Sequence, residues 1–303
     1  MTHDDLRPLL FSIAYRMVGS VGDAEDLVQE AFLRMHREQQ EGTEIESAKA
    51  FLTTVVTRLS IDHLRSARVR REEYVGEWLP EPLLADPDPG PADHAEMGDT
   101  LSLAFLVLLE SLSPLERAVF LLHDVFGYSY AEIGQVVDKS EDNCRQIALR
   151  ARHAVDAGRP RFDPSEEERQ RVAERFFAAL AGDATDIAAL LSEDVVMHGD
   201  GGGKAPALAR ALKGADRVSR LWANFAKQGV RLGGTIRPAT VNGQPGAVFL
   251  TGDGLVISVV SVDVVDGKVS EIRSIVNPDK LRHVGEVADL AALIRLRPDT
   301  AAP

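Results

Sequence analysis

The chain of 303 residues has one cysteine, Cys144, so no intramolecular disulfide can form and a reducing compartment is expected. It lacks any uncharged apolar run near the ~20 residues that span a bilayer. Its opening residues, MTHDDLRPLL, place acids where a secretory leader has basic residues and a long apolar run. A cytosolic protein with no membrane partner is expected. Positive charge is also scarce. Against 47 Asp and Glu there are 34 Lys and Arg, a formal net charge of −13, which argues against a surface that is basic all round. An intact phosphate loop is missing too. Residues 198–206 read HGDGGGKAP, but a G-x-x-x-x-G-K-[ST] loop anchored on Gly203 and Lys204 needs glycine at 198 and Ser or Thr at 205, where the chain has His198 and Ala205.

What is present is segregated charge. In RLSIDHLRSARVRR the arginines Arg58, Arg65, Arg68, Arg70 and Arg71 face a single acid, Asp62. A second basic cluster follows Cys144: Arg145, Arg150, Arg152, His153, Arg159 and Arg161. Acids gather at 23–30 and 72–99. Two basic helices in an acidic chain suit a protein that touches DNA locally and takes most of its affinity from a partner.

The pattern along the chain is first helical. DAEDLVQEAFLRMH sets Ala24, Leu27, Val28, Ala31, Phe32 and Met35 on one stripe, and Phe51, Leu52, Val55, Val56, Leu59 and Leu64 repeat the spacing in the next helix. The polar stretch between them reads as a loop, 39–49. From Tyr74, YVGEWLPEPLLADPDPGPADH is rich in proline and acids and reads as an extended linker. Ser113-Pro114-Leu115-Glu116 and Ser129-Tyr130-Ala131-Glu132 are helix starts of the capping-box kind, and Ser140 caps a further helix, SEDNCRQIALRARHAV. A short helix, a tight turn and a basic helix make a helix-turn-helix pattern, with Cys144, Ile147, Ala148 and Ala151 inward. Cys144 among apolar neighbours reads as core rather than as a redox switch. Beyond 165, helices at Glu166–Ala181, Thr185–Leu191 and Ala215–Lys227 precede four strand-like runs, with turns at 252–254 and 266–267. Together they make an α+β domain with an antiparallel meander.

DAEDLVQEAF (23–32), FLTTVVTRLSIDHLR (51–65) and YAEIGQVVDKSEDNCRQIALRAR (130–152) resemble regions 2 and 4 of the extracytoplasmic-function RNA polymerase sigma factors. The remainder resembles a SnoaL-like domain of the polyketide-cyclase and ketosteroid-isomerase superfamily. WLPEPL (Trp78–Leu83), DGGGK (Asp200–Lys204) and NPDKL (Asn277–Leu281) narrow the resemblance to the SigJ-like group, in which such a domain is fused to the C-terminus. The resemblance implies a multidomain chain: an all-α region 2 over 1–73, a linker over 74–95, an all-α region 4 over 96–160 and a SnoaL-like α+β cone over 161–303. It also implies core RNA polymerase (β′ clamp helices and β subunit) and promoter DNA as partners, with no covalent chemistry, cofactor or metal and no separate anti-sigma protein.

By the same resemblance, Asp26, Gln29 and Glu30 dock on polymerase, and Arg58, Asp62, Arg65 and Arg68 meet the −10 element. Loop 39–49 corresponds to the part that holds an unpaired base. Arg145 and Gln146 reach base edges at −35, while Arg150 and Arg152 meet phosphates. Trp78, Leu79, Pro80, Asp200, Gly201, Gly202, Gly203, Lys204, Asn277, Asp279 and Lys280 are expected to form one regulatory contact between domains. Replacing Asp200 or Lys204 by Ala is then expected to alter promoter output without unfolding. For an enzyme or small-molecule sensor, His198, Asp200, Asp253 and Asp263 are the available acids and bases, but their spacing matches no catalytic arrangement. A helix-turn-helix repressor working without polymerase is the other alternative. The tail, VADLAALIRLR, is expected to form a short helix docked at the same junction.

Overall fold

The computed structural model describes residues 3–72, 74–84, 101–158, 165–182, 187–231 and 233–295. The chain forms two compact units, Met1–Glu73 with Ala104–Arg159, and Tyr74–Leu103 with Pro160–Pro303. The first is helical and the second is α+β. The described part of the linker, 74–84, belongs to the α+β unit.

The helical unit opens with α1 (His3–Val18), α2 (Val21–Gln40) and α3 (Ala48–Glu72). Serine hydroxyls start two of them: Ser20 accepts from the Asp23 N–H and Ser47 from the Ala50 N–H, each at 3.2 Å. α2 buries Ala24, Val28, Ala31 and Met35. α3 buries Leu52, Val56 and Leu64 but leaves Phe51, Val55 and Leu59 half-buried. The small hydroxyl residues Thr53, Thr57 and Ser60 are fully buried beside Leu52 and Val56. Ser60 can do so because its hydroxyl donates to the Val56 carbonyl at 2.7 Å, as apolar periodicity does not reveal.

The same unit continues with α4 (Leu103–Leu109), α5 (Pro114–Phe120), α6 (Tyr130–Val137) and α7 (Glu141–Gly158). Both expected capping boxes form, Ser113 with Glu116 and Ser129 with Glu132. α5 runs into a π-helical turn, Leu121–Val125, that no local signal announces. α6 and α7 make the helix-turn-helix. Within α6 Gly134 is required, because a Cβ there would lie 2.6 Å from the carbonyl oxygen of Lys139 in the turn. Cys144, Ile147, Ala148 and Ala151 are all buried, and burial pushes the Cys144 thiol up, away from the reactive thiolate.

The α+β unit has α8 (Glu166–Ala181), α9 (Ile187–Leu190) and α10 (Ala215–Arg231) against a six-stranded sheet, and ends in α11 (Leu290–Arg295). Thr185, expected to open the second of these helices, lies outside the described residues. The strands are β1 (Leu191–Asp200), β2 (Leu212–Lys213), β3 (Thr235–Val241), β4 (Gln244–Leu250), β5 (Val256–Val265) and β6 (Lys268–Ile275), in the order β2-β1-β6-β5-β4-β3. β3 to β6 form the expected antiparallel meander. β1 departs from it by pairing parallel with β6, Met197 opposite Ile272. Such a pairing joins segments far apart in the chain and has no turn signal to predict it. Between β3 and β4, Asn242 and Gly243 both take positive φ (52° and 73°), the form a two-residue hairpin needs. The concave face is filled by Phe176 and Phe177 of α8, Trp222 of α10 and Phe249 of β4, with ring centroids 5.3 to 6.4 Å apart.

Candidate functional site

On the helical unit the expected polymerase-docking residues Asp26 and Gln29 are exposed on α2, and Glu30 beside them pairs with Arg34 at 2.8 Å. Along α3, Asp62 and Arg65 are exposed and pair with each other at 3.2 Å. Arg68 lies outside the described side chains. Arg58 differs from both. Its Nε donates to the Val136 carbonyl at 2.7 Å and its Nη2 to the Gln135 carbonyl at 3.1 Å, at the C-terminal end of α6. Loop 41–47, shorter than expected because α2 runs on to Gln40, borders a cavity of about 610 Å³. Arg34, Arg37 and Arg58 supply its positive charge, Glu38 and Glu41 its negative charge, and Phe51, Val55 and Ala50 its apolar wall.

α7 presents Arg145, Gln146, Arg150 and Arg152 on its outer side. Arg145 pairs with Glu141 (2.7 Å) and Asp142 (2.9 Å), and its guanidinium lies 5.4 Å from the centre of the Tyr130 ring. Arg150 faces Glu116 at 3.6 Å and Arg152 binds Asp124 at 2.6 Å. Periodicity alone does not reveal Arg117. It is almost wholly buried and donates to the carbonyls of Met17 (2.6 Å) and Leu109 (3.0 Å) and to Glu110 (2.8 Å). Burial pushes its guanidinium down to about 9, still charged at neutral pH.

In the α+β unit the three segments expected to meet do so, around Asp200. Its side chain is fully buried at the end of β1. The Tyr74 hydroxyl donates to Oδ1 at 2.5 Å, and the Leu79 N–H (2.8 Å) and Lys280 Nζ (2.7 Å) donate to Oδ2. Lys280 also donates to the Leu79 carbonyl and sits 4.3 Å from the centre of the Trp78 ring. Asn277 donates to the Tyr74 oxygen at 2.9 Å, and Lys204 pairs with Asp279 on the surface. Burial, then the Asp200 carboxylate, hold the Tyr74 phenol well above its usual range, so it stays a donor. Leu79 and Pro80 are buried. The glycines let the loop close over this point: Gly202 has φ of 57°, and a Cβ on it would lie 2.2 Å from Asn277 Nδ2. Gly203 also has positive φ, while Gly201 packs against Ala205 and Ala207. Asp200→Ala would therefore leave the buried Lys280 side chain without its carboxylate, a cost to stability that the motif alone does not announce.

A further anchor escapes motif reading. Asn242, at the β3–β4 turn and fully buried, accepts from the Leu83 N–H at 2.9 Å and donates its own N–H to the Leu83 carbonyl at 2.7 Å. Its Nδ2 donates to the Leu101 carbonyl at 3.1 Å. The chain from Leu83 to Leu101 thus starts and finishes at one side chain. Nothing local in the sequence says what this amide grips. The tail helix α11 forms, and Gln228 of α10 donates to its Leu293 carbonyl at 3.4 Å.

The acids and bases considered for catalysis do not converge. Along β1, Val195 and Met197 point into the core, so His198 and Asp200 lie on the opposite face, under the linker. His198 meets Glu77 at 2.9 Å. Asp263 binds buried Arg273 at 2.6 Å, and Asp253 accepts from the Thr251 hydroxyl in a turn.

A helix-turn-helix and a three-helix module joined to an α+β cone define a class, and comparison with known proteins gives it a name. Residues 3–70 match the Sigma-70 region 2 family, 102–155 the Sigma-70 region 4 family, and 173–272 the SnoaL-like domain. The chain belongs to the ECF RNA polymerase sigma factors. It is 42% identical to ECF RNA polymerase sigma factor SigJ of Mycobacterium tuberculosis (strain ATCC 25618 / H37Rv), over 91% of this chain and 90% of that one. It is 32% identical to the probable ECF RNA polymerase sigma factor SigI of the same strain, over 91% and 92%. The crystal structure of M. tuberculosis SigJ superposes with a TM-score of 0.73 at 38% identity, covering 92% of this chain and 96% of that one. No helix among the described residues is long and apolar enough to cross a membrane.

Proposed function

We propose that the chain directs core RNA polymerase to promoters and that its SnoaL-like domain limits this activity by shortening the linker between regions 2 and 4. In this reading Asp26, Gln29 and Glu30 dock on polymerase, and Arg58, Asp62, Arg65 and Arg68 engage the −10 element beside the α2–α3 cavity. Arg145 and Gln146 read the −35 element, and Arg150 and Arg152 hold its phosphates. The fused domain stands in for a separate anti-sigma protein.

The observation that carries the regulatory part is the pinning of Leu83 and Leu101 to Asn242. Elements ~25 base pairs apart are separated by about 85 Å along B-DNA at 3.4 Å per pair. Residues 74–103, about 30 in all, can extend to ~100 Å. Holding Leu83 and Leu101 together removes about 18 of them, and the remaining ~12 reach only ~40 Å. Both promoter elements are then engaged at once only after the linker leaves the sheet. The buried Asp200 strap adds to the cost of leaving.

Transcription with purified core polymerase on a promoter library, comparing the full chain with Asn242→Ala, tests this. The expected outcome is greater promoter output from the variant, at equal binding to core polymerase. Unchanged output from a folded variant overturns the linker mechanism. Failure of both proteins to bind core polymerase overturns the promoter-directing role itself.

A further inference from the structure

Residues 74–84 lie on the cone as a bound peptide would. They run from the end of β1 to the β3–β4 turn, outside every helix and strand of the chain. Their main chain is gripped at Leu79, Pro82, Leu83 and Leu84. Asp200 takes the Leu79 N–H at 2.8 Å and Lys280 the Leu79 carbonyl. His283 meets the Pro82 carbonyl at 2.7 Å, and Asn242 serves both the N–H and the carbonyl of Leu83. Leu84 then forms an antiparallel bridge with Val241. Side chains fill the spaces between: Leu79, Pro80 and Pro82 are buried, the Trp78 ring faces the Lys280 ammonium, and Glu77 meets His198. Main-chain bonds for affinity, with pockets for side chains, are how domains take an extended peptide from another molecule. Prolines at 80 and 82 hold the extended shape in advance, which lowers the entropy lost on docking.

The gripping groups all belong to the cone, and Asp200 and Lys280 pair with each other at 2.7 Å. Their charges stay matched when the segment leaves, so the groove outlasts its occupant. In the active form the linker has left the sheet, and the sequence that fits the empty groove is carried by every other copy of the chain. We propose that this groove is a receptor for an extended Trp-Leu-Pro-x-Pro peptide, filled at rest by the chain's own linker and, once that linker is drawn off, by residues 74–84 of a second copy. The exchange keeps the first copy open and holds the second by its linker. It rests on reading the linker as the restraint on promoter engagement. At rest the receptor is hidden. A linker tethered to its own groove acts at an effective concentration of about millimolar, which a peptide at micromolar concentration does not displace.

Two full-length variants test this. One weakens the linker peptide, Trp78→Ala with Leu79→Ala. The other weakens the groove, His283→Ala with Asn242→Gly, since glycine readily takes the φ of 52° found there. A labelled synthetic peptide of residues 74–84, YVGEWLPEPLL, is expected to bind the linker variant saturably. Binding to the wild type, whose groove is filled, is expected to be weaker by about tenfold or more. The same peptide carrying Trp78→Ala is expected to lose about tenfold in affinity for the linker variant, through the missing indole over a desolvated ammonium. Mixed at micromolar concentration, the two variants are expected to sediment as a heterodimer that neither forms alone. If the linker variant, shown to be folded by circular dichroism, does not bind the peptide, the receptor is overturned. Peptide binding without a heterodimer overturns the second copy as occupant. If the peptide binds but promoter output from the linker variant equals that of the wild type, the receptor stands and the restraint reading fails.

Discussion

The charges of the linker strap and the charges of α7 use the same side-chain types in opposite ways. Asp200 and Lys280 are 0% and 8% exposed at their side chains, and each is surrounded by partners from sequence-distant segments. Arg145 is 54% exposed, and its partners Glu141 and Asp142 come from its own helix. A buried pair has given up its water and holds only while both members are present. An exposed pair gains little, and each member can exchange its partner for another. The first arrangement fixes where the linker runs. The second leaves Arg145 in exposed pairs that can exchange, as the contact with DNA proposed above requires. Arg58 lies between the two: it is on the surface, yet bound to main-chain carbonyls that move only if a helix moves.

The sharpest way to break this comparison is Asp200→Ala. It leaves Lys280 charged and buried, and a loss of about 3–5 kcal/mol is expected in urea unfolding of the full chain. A loss under ~1 kcal/mol, the surface-pair range, would erase the distinction.

Arg145→Ala comes next and should act on the other side only. Stability is expected to change by less than about 0.5 kcal/mol. Promoter binding by the holoenzyme is expected to weaken by ~1–3 kcal/mol with altered base preference at one position. Arg152→Ala is instead expected to weaken binding evenly across sequences and to lower the salt slope by about one. Binding titrations over a salt series separate the two.

The smallest effect expected is from Tyr74→Phe, which removes one of three donors to Asp200 at a cost of about 1–2 kcal/mol. It also has a pH signature. The Tyr74 phenol is held above its ordinary value of 10.0 in the folded chain, so above that pH the unfolded chain loses this proton while the folded chain keeps it. The unfolded state then binds fewer protons, and the tyrosine's contribution to stability is full below pH ~10 and falls as pH rises beyond it. Unfolding measured on either side of that pH is expected to fall more steeply in the wild type than in Tyr74→Phe.

Much of this molecule is legible residue by residue. Ser113 with Glu116 and Ser129 with Glu132 announce helix starts because a cap is satisfied within three residues. The inward face of α7 follows from its period, and Asp266-Gly267 marks a hairpin by its backbone preferences. Motif order brought WLPEPL, DGGGK and NPDKL into one expectation, and the fold does gather them at Asp200. Reading the motifs did not reveal that Asp200 is buried, that Tyr74 just outside the motif completes its shell, or that Asn242 holds both sides of the linker. Nor did it foresee that Arg58, placed on DNA by resemblance, closes on α6.

The division has one physical cause. Caps, turns and helical stripes are decided by neighbours a few residues away, so the sequence by itself determined the helices, the hairpin turns of the meander and the kind of protein this is. The parallel seat of β1 beside β6, the shell of Asp200 and the grip of Arg58 join residues 75 to 201 positions apart. Only packing brings such groups together, and their desolvated charges have meaning only once it has done so, so the tertiary structure alone decided how the linker is held and what Arg58 binds.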